Sequence, residues 1–245
     1  MKENRKVTLL CLLVLLINFS CKKEEQIVKK TEITTKGLIL HYTFDKDGTD
    51  ISPSLNHAYA IRPINYLNGL FNKAAYLDGL DSSGYICSKD IEFTNEFTIS
   101  VWVKSDFKPD NMIIIQKGFT YHKGICLLIQ SNGVPQLHIN DEFAMGGGGY
   151  DDNKWHHFVV TFRNDSINKR AFVNFYKDNN QDMYDEDMID FEGFDYDATV
   201  NNSVSIGTIL TRSYSYYDFK GFMDEFRMYN RVLSSKEISN LFLEM

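Results

Sequence analysis

Cysteine is scarce in this sequence. Four occur in 245 residues, and Cys11 and Cys21 fall within the first 21 positions. Cys87 and Cys126 remain, too few for a disulfide-stapled scaffold. Both stand in apolar strand patterns, Tyr85-Ile86-Cys87 and Gly124-Ile125-Cys126-Leu127-Leu128-Ile129. That favours two buried thiols, although an oxidising compartment leaves a bridge open. No Cys-x-x-Cys or His-x-x-x-His pair suggests zinc. Past residue 19 no apolar run is long enough to span a bilayer as a helix. Positive charge is in deficit, with 26 Lys and Arg against 33 Asp and Glu and a net charge of −7. Residues 1–20 contribute +2 (Lys2, Arg5 and Lys6 against Glu3), so the remainder carries about −9. Such a balance argues against nucleic acid as a partner and is compatible with neutral glycans and divalent cations. The glycine run 146–149 lacks the Lys-Ser/Thr of a phosphate-binding loop. No Ser/His/Asp or Cys/His set has a recognisable nucleophile context. Only four prolines, 14% aromatics and many Val, Ile, Thr, Tyr and Phe give the composition of a globular β protein.

The start of the chain is different in kind. A basic opening, an apolar run from Val7 to Phe19 and Ser20 before Cys21 predict a secretory signal over residues 1–20. The junction Ile17-Asn18-Phe19-Ser20-Cys21 resembles a bacterial lipobox, departing at Asn18 where Leu is usual, and implies lipidation of Cys21. An ordinary secreted protein is the alternative. Residues 21–36 then read as a solvated, flexible tether. Its charged start resembles the surface-export signal of Bacteroidetes lipoproteins, which implies an outer-membrane, surface-exposed location. Residues 37–245 are long enough to bury one large core without staples.

The stretch that organises this body lies near its end. Between Phe219 and Arg231, residues Phe222, Asp224, Phe226 and Met228 share one side of a two-residue period; Met223, Glu225, Arg227 and Tyr229 share the other. This predicts a buried strand with Asp224 among apolar neighbours. An ionised carboxylate there is costly unless a cation or several donors meet it. Beyond Asn230 the period changes. Ser234-Ser235-Lys236-Glu237 is a capping box, and Ile238, Leu241 and Phe242 follow at helical spacing. Earlier, Leu38, Leu40, Tyr42 and Phe44 alternate in a first strand ending at Asp45, and the loop 45–58 is dense in oxygen donors. Residues 97–104 set Phe97, Ile99, Val101 and Val103 against Thr98, Ser100, Trp102 and Lys104. Residues 112–117, 124–130, 136–140 and 170–177 read as further strands, and 178–187 as an acidic insertion. About a dozen strands with no helical period until the end predict an all-β jelly-roll sandwich of two antiparallel sheets with a short C-terminal helix.

The run Gly221-Phe222-Met223-Asp224-Glu225-Phe226-Arg227-Met228-Tyr229-Asn230-Arg231-Val232-Leu233-Ser234-Ser235-Lys236-Glu237-Ile238 resembles the terminal signature of LamG-like jelly-roll domains, within the concanavalin A-like lectin/glucanase superfamily. Residues 73–86 are similar to that family's Asp-Gly-x-Asp-x-Tyr strand and turn. Trp155-His156-His157-Phe158-Val159-Val160-Thr161 is similar to its Trp-His-His strand, and Val204-Ser205-Ile206-Gly207 to its Ile-Gly strand. The opening loop departs from the family, with Ala58 and Ser52-Pro53-Ser54-Leu55 in place of Gly and Ser-Gly-Asn. The resemblance implies that the first and last strands are neighbours sharing a structural Ca²⁺ between Asp45 and Asp224; Asp50 and the loop carbonyls near Gly48 could complete the shell. The alternative is that Asp224 caps turns or pairs with Arg227 or Arg231. It also implies a structural role for His156 and His157, whose side chains point to opposite faces of a strand.

Laminarinase-like enzymes of this superfamily carry Glu-x-Asp-x-Glu. The nearest match, Met188-Ile189-Asp190-Phe191-Glu192, lacks the first acid, and a retaining mechanism needs both carboxylates. A glycan-binding face needs exposed aromatics beside polar groups. Tyr214, Tyr216, Tyr217 and Tyr150 are the candidates, with Phe119-Thr120-Tyr121-His122 a weaker one; the alternative is that these rings pad the sandwich edge. Taken together the sequence predicts a non-catalytic domain that binds a glycan or glycoprotein on a membrane-anchored lipoprotein. A divergent glycoside hydrolase and a protein–protein adhesion module are the other readings.

Overall fold

The computed structural model describes residues 33–80, 82–106, 108–120, 122–181, 187–196, 203–210 and 217–244. Among them two antiparallel sheets face each other. The first runs in the order β13 (Asn180–Gln181), β12 (Arg170–Lys177), β11 (His156–Asp165), β6 (Glu96–Ser105), β16 (Lys220–Tyr229), β4 (Lys73–Asp78), β3 (Asn65–Asn68). Two strands lie off this path: β1 (Leu38–Tyr42) pairs with β16, and β14 (Asp187–Asp190) with β12. The second sheet runs β10 (Glu142–Met145), β9 (Pro135–Ile139), β8 (Lys123–Ile129), β7 (Met112–Thr120), β15 (Val204–Ile206), β5 (Tyr85–Cys87), β2 (Ala58–Ala60). Together with the helix α1 (Ser235–Phe242) this is the all-β sandwich expected from the periodicity.

Alternation places the core. Phe97, Ile99, Val101 and Val103 of β6 face Ile125, Leu127 and Ile129 of β8 and Leu137 and Ile139 of β9, all at most 1% exposed. Burying one such side chain contributes roughly 1.5–3 kcal/mol, and Phe97 stacks on Phe162 at 4.8 Å between ring centres. The other face of β6 is buried too, under α1. Leu38, Val159, Tyr229, Leu233, Ile238 and Leu241 form a second apolar layer there. Phe242 stacks on Trp102 at 5.6 Å. The capping box forms as the sequence implied: the Glu237 N–H donates to Ser234 Oγ and the Ser234 N–H to Glu237 Oε2. Cys87 and Cys126 are both free and buried, Cys126 in a third small cluster on the outer face of the second sheet. Residues 33–36, expected within the tether, are held to the body. The Tyr229 hydroxyl donates to the Thr34 carbonyl at 3.2 Å and Arg231 Nε to that of Lys36 at 2.8 Å. The signal segment, Cys21 and the rest of the tether lie outside the described residues.

Candidate functional site

The first and last strands of the described residues, β1 and β16, pair with each other. The first half of β16 pairs with β4, from Lys220↔Asp78 to Met223↔Ala75. Its second half pairs with β1, from Tyr42↔Phe226 to Leu38↔Tyr229. Asp224 lies at the changeover. There the register with β6 also slips, between Asp224 and Arg227, and Glu225 takes a left-handed backbone with φ 49°. This is a β-bulge, and it re-aims side chains. Met223, Phe226 and Met228 therefore all point into the core, whereas strict alternation had placed Met223 opposite Phe226 and Met228. Asp224 is turned out of the core toward the β3–β4 loop. Phe44, just before Asp45, is likewise left-handed at φ 55°. Such conformations in bulky residues persist only where the surroundings over-determine them.

Both acids hold the same loop. Asp224 Oδ2 accepts the backbone N–H groups of Leu70 and Phe71, each at 3.0 Å. Asp45 Oδ1 accepts that of Lys73 at 3.1 Å. Gly69 makes this approach feasible, since a Cβ there would sit 2.7 Å from Asp224 Oδ2. Asp224 is fully buried, and its Oδ1 has no hydrogen-bond partner. Burial pushes its pKa up to about 7; the charges of Glu225 and Asp45 add to the rise, and the two backbone N–H groups oppose it. Neither arginine considered from the sequence relieves it. Arg227 Nη2 bonds Glu225 at 2.5 Å and Glu244 at 2.7 Å, and Arg231 forks onto Glu237 at 3.0 and 2.6 Å. An orphaned buried carboxylate oxygen beside a second carboxylate is a donor set that suits a hard cation. Among the described residues no group of three or more His, Cys, Asp or Glu is assembled for a metal.

Asp50, expected in the same shell, is already saturated. Its Oδ1 accepts the His41 and Ser52 N–H groups at 2.8 and 2.9 Å; its Oδ2 accepts Ser52 Oγ and the Asn56 N–H, both at 2.8 Å. The Asp50 N–H in turn donates to His57 Nδ1 at 3.0 Å. Four donors close the loop 50–57 onto β1 and leave Asp50 nothing to offer a metal. The histidine pair divides between faces. His156 sits between Asp178 and Asp152, at 2.7 and 3.0 Å. His157 bonds Ser100 Oγ at 2.9 Å beneath α1, and burial with the nearby Arg227 charge pushes its pKa down to about 3.

The aromatic candidates fare differently. Tyr150 is a core residue, 0% exposed, with its ring edge-on to His156 and Phe158. Tyr217 packs in the outer cluster with Phe119 and Ile209. Neither presents a ring to solvent. Tyr214 and Tyr216 lie outside the described residues, as does Tyr121. Asp190 and Glu192 are surface groups at the sheet's edge. Asp190 faces Arg170 at 3.8 Å, and Glu192 pairs with Lys169 at 2.8 Å. Glu192 does line a cleft of about 380 Å³, with Asn95, Asn164, Ser166, Lys169 and Phe191. Only Phe191 and Glu192 fall in a motif the sequence singled out; Asn95, Asn164, Ser166 and Lys169 carry no spacing signal, because separate turns bring them together.

The chain belongs to the concanavalin A-like lectin/glucanases superfamily, whose laminin G type profile matches residues 80–239. Among solved structures it is similar to domain 4 of AbnA, a GH43 extracellular arabinanase from Geobacillus stearothermophilus, in complex with arabinotriose. That likeness has a TM-score of 0.63 at 20% identity and covers 83% of this chain and 97% of that one. The binding domain of Paraclostridial Mosquitocidal Protein 1 gives a TM-score of 0.62 at 18% identity, over 84% of this chain and 52% of that one. The binding domain of Botulinum Neurotoxin DC in complex with SialylT gives 0.59 at 16%, over 85% and 51%. The chain thus spans about half the length of these toxin domains, and the likenesses are ones of fold. No curated protein sequence matches the chain.

Proposed function

We propose that this is a non-catalytic carbohydrate-binding domain, displayed on the outer membrane by a lipid on Cys21, with a Ca²⁺ held between Asp45 and Asp224. The observation that carries the carbohydrate reading is the likeness of fold to an arabinanase domain solved with arabinotriose, 97% of which is covered. The cleft beside Glu192 supports binding over hydrolysis, because among the described residues its lining includes that one carboxylate and glycosidases of either stereochemistry use two. Calcium would neutralise the Asp45–Asp224 pair and pin the β3–β4 loop to both chain ends. The lipobox-like junction at Cys21 supports the anchor. The test is a glycan array probed with the protein in calcium and in EDTA. Retention of neutral oligosaccharides without release of reducing sugar is the expected result. No retention on any glycan contradicts the reading, and sugar release that disappears in Glu192→Gln favours the hydrolase instead.

A further inference from the structure

The cleft at the end of the first sheet lies between the segment leading into β6, the β11–β12 turn and the segment after β14. Its volume is at the lower end of the range of about 300–1,000 Å³ common for small-molecule sites. Its wall carries an unmet acceptor. Asn164 Nδ2 donates to Asn95 Oδ1 at 3.1 Å, while Asn164 Oδ1 is buried without a partner. A buried acceptor of this kind can be met by an ordered water or by a ligand's donor. Across from it, Lys169 Nζ meets Glu192 Oε1 at 2.8 Å with both side chains largely exposed. Each side chain keeps hydrogen-bonding capacity beyond that one bond. Phe191 forms the floor, locked edge-on against Phe162 at 5.1 Å. Gly193 follows at φ 137°, and the space its Cβ would take is open.

We propose that this cleft is a subsite for one neutral sugar unit. Asn95 and Asn164 on one side, and the Lys169–Glu192 pair on the other, would meet its hydroxyl groups. A hydroxyl is a donor that could meet Asn164 Oδ1; amides both accept from and donate to adjacent hydroxyls, and a carboxylate accepts from them. A neutral sugar fits better than an acidic one because, among the described residues of the lining, the one cation, Lys169, is already compensated by Glu192, and the chain is acidic overall. The assignment rests on the carbohydrate-binding reading above and adds the place and the charge class.

The experiment titrates the isotopically labelled full chain with arabinotriose, cellotriose and 3′-sialyllactose, following backbone amide shifts and the Kd. A neutral trisaccharide should bind, with shifts concentrated at Asn95, residues 164–169 and residues 192–193. Ser166→Trp, on the exposed turn, should fill the cleft and weaken binding by about tenfold or more, and Asn164→Ala should do likewise. Should Asn164→Ala fail to fold, Ser166→Trp decides alone. If a neutral sugar binds, but with shifts elsewhere and a Kd unchanged in Ser166→Trp, the subsite is wrong and the carbohydrate reading survives. Tighter binding of 3′-sialyllactose in this cleft overturns the neutral assignment. Binding of none of the three at millimolar concentration overturns the subsite and counts against the carbohydrate reading with it.

Discussion

Asp50 and Asp224 are both fully buried aspartates near the chain junction, and they do opposite things. Asp50 is surrounded by four donors and closes a loop. Asp224 has two donors on one oxygen and none on the other. Replacing Asp50 by Ala strands several buried N–H groups, at roughly 1–3 kcal/mol for an unsatisfied group. We expect Asp50→Ala to cost about 3 kcal/mol, read as a lower urea midpoint with an unchanged slope, and calcium not to rescue it. The sequence identified Asp224 because an acid within an apolar alternation stands out. It misplaced Asp50 because an abundance of oxygen donors does not reveal which are already engaged by backbone N–H groups. Tyr150 illustrates the same difficulty. A tyrosine beside Asp151-Asp152-Asn153 reads as exposed, yet its ring fills the core, and its hydroxyl reaches the Tyr176 carbonyl at 3.4 Å.

At the scale of elements, long strands with a clear period were legible. β6 and β16 fall where alternation placed them, β12 over the expected 170–177, β11 where the resemblance to the Trp-His-His strand put it, and α1 where the capping box did. Short strands such as β2, β3, β10 and β13 were not, because two to four residues carry too little pattern and are set by the strand beside them. The bulge at Glu225 was also hidden: nothing in Asp224-Glu225-Phe226 distinguishes a slipped register from a regular one. Its consequence is large, since it gives β16 two buried faces in which Met223 and Phe226 point the same way. The outer face depends on α1. Leu241 is fully buried in that layer, so Leu241→Ala should destabilise the protein by about 2–5 kcal/mol, measured by chemical denaturation. A loss below 1 kcal/mol would mean that the helix is not an integral part of the sheet's cover.

For the whole molecule, β16 joins early and late parts of the chain with no disulfide among the described residues. β1 and β4 share an edge of β16, and the β3–β4 loop is tied to Asp45 from the chain's start and Asp224 from its end. The cost falls on Asp224. Its folded pKa, about 7 against an ordinary 3.8, lies above the unfolded one. Its favourable contribution is therefore complete below about pH 4 and lost as pH rises through 7, to the extent of at most about 4 kcal/mol. A bound cation would reverse that loss by favouring the ionised form. The direct measurement is thermal unfolding of wild type and Asp224→Asn at pH 5 and pH 8, in EDTA and in millimolar Ca²⁺. Calcium should raise the wild-type Tm at pH 8, do little at pH 5, and leave Asp224→Asn unmoved, while in EDTA at pH 8 the variant should be the more stable of the two. A wild-type Tm at pH 8 indifferent to calcium, or an Asp224→Asn protein that responds as wild type does, would contradict the account.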